Sequence, residues 1–410
     1  MTDALAAPTR DVGRGWTAAL SLANGAVWAG WFGPIQVLLA LQAAEVAPGH
    51  KAAALAWVTG AGAAVSVVAN PLFGALSDRT VSRYGRRTPW IAAGALGGAA
   101  GLGVLAAADT LAVMITGWCL VQLALNAAFA ALTAAVPDRV PRRQRGAVGG
   151  WLGAAQILGV LAGTGLATAA GGGPAGYLAC AACAVLGVLP YLLLHRDLVL
   201  PRALRPPFGA RAFAAGFRIS PRAHPDLAWA WLTRFLINLG NSIALLYLLY
   251  YLRDVVRYAG DAEDGVLILT AVNSAALLAT VVAAGVHSDR TGRRKPYVTG
   301  AGVLIAGSAA LLACWPAWPG TLTAAALLGV GYGVFTSVDF ALITDVLPAA
   351  ADRGRDLGVV NIANSLPQVL APALAAPVVT RLGGYPVLYF LAGALVLAGA
   401  AGVHRVRGVD

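Results

Sequence analysis

Charge is what this sequence has least of. Asp, Glu, Lys and Arg make up 11% of its 410 residues, where a soluble domain carries about 25%. Hydrophobic residues make up 59%, and mean hydropathy is +0.72. A water-soluble core cannot bury that much apolar surface, so a lipid bilayer is the expected solvent. Histidine is scarce as well. His50, His195, His224, His287 and His404 all fall in or beside loops, without metal-ligand spacing. A membrane enzyme needs His, Asp or Cys gathered on one cavity, and no such grouping is read. No catalytic residue, metal or cofactor is therefore assigned. A Walker lysine motif is lacking, so ATP is not the expected energy source. The four cysteines, Cys119, Cys180, Cys183 and Cys314, lie inside apolar runs. The Cys180–Cys183 pair has apolar flanks and reads as membrane filler rather than a redox site. Residues 1–16 include Asp3 and Asp11 and no cleavage site after an apolar core, so no removable signal peptide is read.

What is present is a series of long apolar runs. Twelve are about 19 residues or longer, at roughly 16–41, 52–76, 90–108, 111–136, 147–170, 174–194, 227–252, 265–286, 297–315, 320–347, 357–380 and 384–403. Runs of this length satisfy their own backbone in lipid only as helices; barrel strands would be about ten residues and alternating. The expectation is an all-α membrane protein of twelve transmembrane helices in two six-helix bundles. Residues 1–194 and 227–410 form the bundles, and 195–226 forms a cytoplasmic linker rich in Arg and Pro. Gly and Ala dominate the runs, as suits close packing of membrane helices. Pro367, Pro372 and Pro377 are expected to bend span eleven.

The net charge of +11 could suggest nucleic acid. Its distribution argues for topology instead, and no nucleic-acid partner is expected. Nearly all arginines fall in the two tails and the even-numbered loops. The odd-numbered loops hold only Lys51, Arg253, Arg257 and Arg381. That asymmetry puts both termini in the cytoplasm of a multi-pass protein of the cell (inner or plasma) membrane. The linker's basic face would rest on anionic headgroups.

One loop occurs twice. Ser77-Asp78-Arg79-Thr80 is matched by Ser288-Asp289-Arg290-Thr291. After a four-residue insertion, Gly85-Arg86-Arg87-Thr88-Pro89-Trp90 is matched by Gly292-Arg293-Arg294-Lys295-Pro296-Tyr297. Repetition at that distance indicates two similar halves, the duplicated plan of many secondary transporters.

These loops, placed after the second and eighth of twelve spans, resemble the signature of the major facilitator superfamily. The stretch from Asn70-Pro71 to Trp90-Ile91 is similar to the glycoside–pentoside–hexuronide and sucrose permease branch. Pro137-Asp138-Arg139 resembles a further loop motif of the superfamily. The resemblance implies two bundles that alternate access to a central site lined by spans 1, 4, 7 and 10. It also implies a cytoplasmic gate: Asp78 near the N-terminus of span eleven by Leu357, Arg86 and Arg87 with acids such as Asp138, and a twin of Asp289 and Arg293 with Asp345 or Asp352, Arg79 and Arg290 being counted to the same gate. At the positions where the melibiose-type branch carries acids that bind a coupling cation, this sequence has Ser66 and Asn70. Span four holds no acid, where the sucrose family has one. Sodium coupling is not implied.

Polar groups inside the membrane are costly and mark function. Arg234 in span seven and Asp339 in span ten each lie about 12 Å deep. They are expected to meet, or to share substrate or proton, and are assigned to proton coupling; a static pair tying two helices is the competing reading. Neutral candidates for substrate binding are Asn24, Trp28, Gln36, Gln122, Asn126, Phe129, Gln156, Asn238, Asn241, Tyr247, Tyr332, Phe335, Thr336, Asn364 and Gln368. Asn238 and Asn241 share a helix face with Arg234. Amides and aromatics suit a neutral, hydroxylated or amphipathic solute, while any one of them could instead bond helix to helix. The expected function is secondary transport of such a solute, sugar- or glycoside-like, by a proton-coupled monomer embedded in lipid. A proton-driven exporter of an apolar natural product or drug stands as the alternative. A membrane enzyme, a passive channel or a sensor stand as alternatives of another class.

Overall fold

A computed structural model of the chain describes residues 8–205, 222, 224–260, 262–347 and 353–409. Among them there is helix and no strand. The first long helical run, α1, covers Arg14–Val46. It passes through a π turn at Pro34–Leu38, where Pro34 has no N–H for the ladder. α2 covers Lys51–Asp78, α3 Thr88–Ala106, α4 Leu111–Arg139, α5 Arg145–Ala169 and α6 Gly173–Leu194. α7 covers Pro225–Leu246 and continues through Leu248–Tyr251 into a second π turn at Leu252–Val256. α8 covers Ala262–Thr291, α9 Lys295–Cys314, α10 Trp318–Asp345, α11 Arg353–Arg381 and α12 Gly384–Gly402. Among the described residues, ten of these runs are long and apolar enough to cross a membrane. The two outside that set, α7 and α11, carry several of the amides singled out above.

Helix boundaries follow local chemistry. Pro89, Pro225, Pro296 and Pro319 sit in the first turns of their helices, where no N–H is needed. The Thr110 hydroxyl accepts the Val113 N–H at the start of α4. Gly85 and Gly292 both take positive φ, +98° and +68°. That conformation explains the glycine at the same place in each repeated loop. α11 runs as one helix through Pro367, Pro372 and Pro377.

Helix pairings recur with an offset of six. α2 and α3 pack on α4, and α1 and α3 pack on α6; likewise α8 and α9 pack on α10, and α7 and α9 pack on α12. The duplication seen in the loops therefore extends to the packing. The chain gathers into two compact units. One comprises Met1–Pro141, Ala154–Arg218 and Ala349–Val359, the other Arg142–Gly153, Ile219–Pro348 and Val360–Asp410. In the first unit α1 and α5 touch backbone to backbone: a Cβ added at Gly159 would lie 2.2 Å from the Gly25 carbonyl oxygen. Small residues drive such contacts where lipid removes the hydrophobic incentive.

Candidate functional site

The repeated loops build two buried ion clusters. In the first, the Arg87 guanidinium donates to Asp78 at 2.7 Å, to Asp138 at 3.0 Å and to the Ser77 hydroxyl at 2.5 Å. Arg86 grips Asp138 with two bonds of 2.5 and 3.2 Å. All four charged side chains are sealed from solvent. Burial by itself would lower the Arg87 guanidinium, but Asp138 and Asp78 outweigh it and hold it above the ordinary arginine value. Arg79 turns back onto its own helix and donates to the Ala75 carbonyl at 2.8 Å.

The second cluster repeats the first almost residue for residue. Arg294 pairs with Asp289 at 2.7 Å, bonds Ser288 at 2.9 Å and lies 3.6 Å from Asp345. The cation is Arg294 and not Arg293, which points outward with Arg290. Arg294 is the counterpart of Arg87, while the counterpart of Arg86, which is buried in the first loop, is the exposed Arg293. Arg145, at the start of α5, supplies the second cation, 2.9 Å from Asp345 and 2.7 Å from the Thr344 carbonyl. Asp289 also accepts the N–H groups of Gly146 and Ala147, at 2.9 and 2.7 Å. A carboxylate there meets the positive end of α5. Gly146 lies against Gly285, where an added Cβ would come within 2.6 Å of backbone oxygen. In the first unit the early turns of α11 approach α2 likewise, Gly358 packing on Pro71. Asp352 lies outside the described residues.

A different site forms where α7, α10 and α11 converge. Arg234 donates to Asp339 at 2.6 Å, and both side chains are buried. The other Asp339 oxygen, Oδ1, is buried without a hydrogen-bond partner among the described residues. One turn along α7, Asn238 donates to the Asn364 side chain at 2.9 Å and to the Ala363 carbonyl at 3.2 Å. The Tyr332 hydroxyl donates back to Asn238 at 2.8 Å. Tyr332 packs on Phe335, and Thr336 donates to the Tyr332 carbonyl at 2.8 Å. Asn241 and Tyr247 are half-buried further along α7. The side chain of Gln368 lies outside the described residues.

The first unit carries a second polar and aromatic group. Asn126 accepts from Asn70 at 3.1 Å and donates to Ser66 at 3.1 Å and to Gln122 Oε1 at 3.2 Å. One turn along α4, Phe129 meets Trp28 and Trp31 edge to face, with ring centres 5.8 and 5.6 Å apart. Phe32 completes the aromatic group against Trp28. Asn24 is buried, Gln156 half-buried and Gln36 exposed on the π turn of α1. Sequence reasoning missed Trp31, Phe32, Arg145, Arg294 and Asp197. Trp31 was within reach of it, because it lies three residues from Trp28. Asp197 follows α6 and accepts the N–H groups of Arg87 and Thr88, at 2.5 and 3.1 Å; nothing local marks it.

Among the described residues no His, Cys, Asp and Glu gather as a metal site. A family model described as MFS/sugar transport protein matches residues 43–385. The chain belongs to that family. A member of that family is an integral membrane transport protein rather than an enzyme. The chain's backbone is similar to the crystal structure of the human organic anion transporter MFSD10 (TETRAN), with TM-score 0.76, 17% identity, and 95% and 99% of the two chains covered. It is similar to the MFS proton:xylose symporter XylE bound to 6-bromo-6-deoxy-D-glucose, with TM-score 0.68, 16% identity and 96% of each chain covered. At that identity the likeness is one of fold. The Multidrug resistance protein Stp of Mycobacterium tuberculosis is 27% identical over 150 residues. That match takes in 36% of this chain and about a quarter (27%) of the relative's length.

Proposed function

We propose that this transporter moves a small neutral, hydroxylated or amphipathic organic solute by alternating access, and that Asp339 couples the movement to protons. The observation that carries the reading is the Arg234–Asp339 pair, buried and only half satisfied. A carboxylate in low dielectric keeps its charge only while its cation stays on it. A solute that draws Arg234 away would leave Asp339 to take up a proton, and release of the proton would restore the pair. The neighbouring Asn238, Asn364 and Tyr332 offer uncharged donors and acceptors, which suits hydroxyl groups better than ions. The two ion clusters serve as latches at the cytoplasmic side, and both termini lie on the cytoplasmic side of the cell (inner or plasma) membrane, the orientation that the arginine asymmetry favours.

Export of an apolar compound is a second reading. It is supported by the aromatic group of Trp28, Trp31, Phe32 and Phe129 and by the multidrug resistance relative. Purified protein in proteoliposomes, given an imposed pH gradient and a panel of radiolabelled sugars, glycosides and lipophilic drugs, tests both. Accumulation of a hydroxylated solute above its equilibrium level supports the first reading. Equilibration without accumulation for every compound contradicts coupling.

A further inference from the structure

A cavity of about 100 Å³ lies within the second unit, lined by Leu245 and Leu248 of α7, Leu269 of α8, Leu312 of α9, and Ala325 and Leu328 of α10. Its four polar lining residues each give a hydrogen bond to backbone. Ser308 donates to the Ala324 carbonyl at 2.8 Å, Thr321 to Ala317 at 3.0 Å, Thr270 of α8 to Val266 at 2.8 Å, and Asn273 to Ala325 at 3.3 Å. The walls therefore have little to offer a polar ligand and suit an apolar one.

Position decides what that ligand is. On α7, Asn238, Asn241, Leu245 and Leu248 follow at steps of three and four, which is one helix face. On α10, Ala325, Leu328, Tyr332 and Phe335 do the same. The cavity and the Asn238–Tyr332 cluster are thus consecutive stretches of the same two faces. Seven residues from Asn238 to Leu245, and from Tyr332 back to Ala325, set them about 10 Å apart along the helices. We infer that the cavity is the apolar subsite of the solute pathway: it takes the alkyl or aryl tail of an amphipathic solute whose hydroxylated head sits on Asn238 and Tyr332. The head-group half of this inference rests on the function proposed above. Smaller than the ~150 Å³ cavity that admits benzene, it fits a short tail of about two to four carbons.

The test uses methyl, ethyl, propyl and butyl β-D-glucosides, and the matching n-alkanols, read by thermal shift of the full-length protein in lipid nanodiscs. Ala325→Leu and Thr270→Leu fill the cavity from two different helices, so that loss of one variant to misfolding leaves the other. In the wild type each added methylene should tighten glucoside binding about 4-fold, from about 0.8 kcal/mol per buried CH₂. In a filled variant the gain should vanish while methyl glucoside binds as before. Equal gain per methylene in wild type and filled variants overturns the subsite, because the tail then rests elsewhere, in lipid included. Failure of both series to bind overturns it too. If alkanols show a gain that the variants abolish and no glucoside binds, the apolar subsite stands and the glycoside head-group reading falls.

Discussion

Arg234 and Asp339, 105 residues apart in the chain, are joined by a 2.6 Å bond that uses only one of the two carboxylate oxygens. A buried pair of this kind is weak as a brace and costly to break. Asp339→Ala strands a cation in the bundle and should lower stability by about 3–5 kcal/mol. The double variant Arg234→Met/Asp339→Met removes both charges and should recover most of that loss. Denaturant unfolding in nanodiscs reads the difference. A double variant no more stable than the single one would show that the pair holds the helices together by itself.

The second ion cluster separates two adjacent arginines. Arg294 is buried between Asp289 and Asp345, whereas Arg293 faces outward. Arg294→Ala should cost about 3 kcal/mol, since it removes the partner of a buried carboxylate. Arg293→Ala should stay within about 0.5 kcal/mol of wild type. Thermal melts of the two variants side by side decide it, and equal losses would contradict the assignment.

Asp197 holds the first loop from outside the repeated motif. Its carboxylate accepts two N–H groups at the entry of α3, and Leu198 accepts the Arg86 N–H through its carbonyl at 3.0 Å. Asp197→Ala should cost about 1–2 kcal/mol, the usual worth of a helix-capping side chain, and Asp197→Asn less. Amide exchange at Arg87 and Thr88 should rise in Asp197→Ala and not in a surface control such as Arg293→Ala. Unchanged exchange would mean that the cap carries no load.

Much of this was legible because membrane helices announce themselves. Long apolar runs can only be helices in lipid, and the twelve runs match α1–α12 to within a few residues. Repetition of Ser-Asp-Arg and Gly-Arg-Arg was visible as text. The depth of Arg234 and Asp339 was visible because a charge stands out against an apolar run. What stayed hidden was register and long-range partnership. The two loops share a glycine of positive φ, yet Arg86 is buried and its counterpart Arg293 is exposed, a difference the matched text does not carry. Arg145 reads as one more basic loop residue until the fold brings it to Asp345, 200 residues away. The cavity had no trace at all, because Leu and Ala line voids and filled cores alike.

Tyr332 tests the polar cluster. Its hydroxyl donates to Asn238 at 2.8 Å, so Tyr332→Phe leaves an amide oxygen without its donor while keeping the ring on Phe335. The expected outcome is a KM for transport raised about 5- to 10-fold, equivalent to about 1–1.4 kcal/mol, with accumulation against the pH gradient retained. Loss of accumulation at unchanged KM would move Tyr332 from the solute site to the proton path.

The most direct measurement compares wild type and Asp339→Asn in proteoliposomes, each assayed for solute exchange without a gradient and for uptake driven by an inward-acidic one. Coupling through Asp339 predicts that the variant still exchanges solute at a rate within a few-fold of wild type but no longer concentrates it. If Asp339→Asn concentrates solute as wild type does, the proton travels by another route.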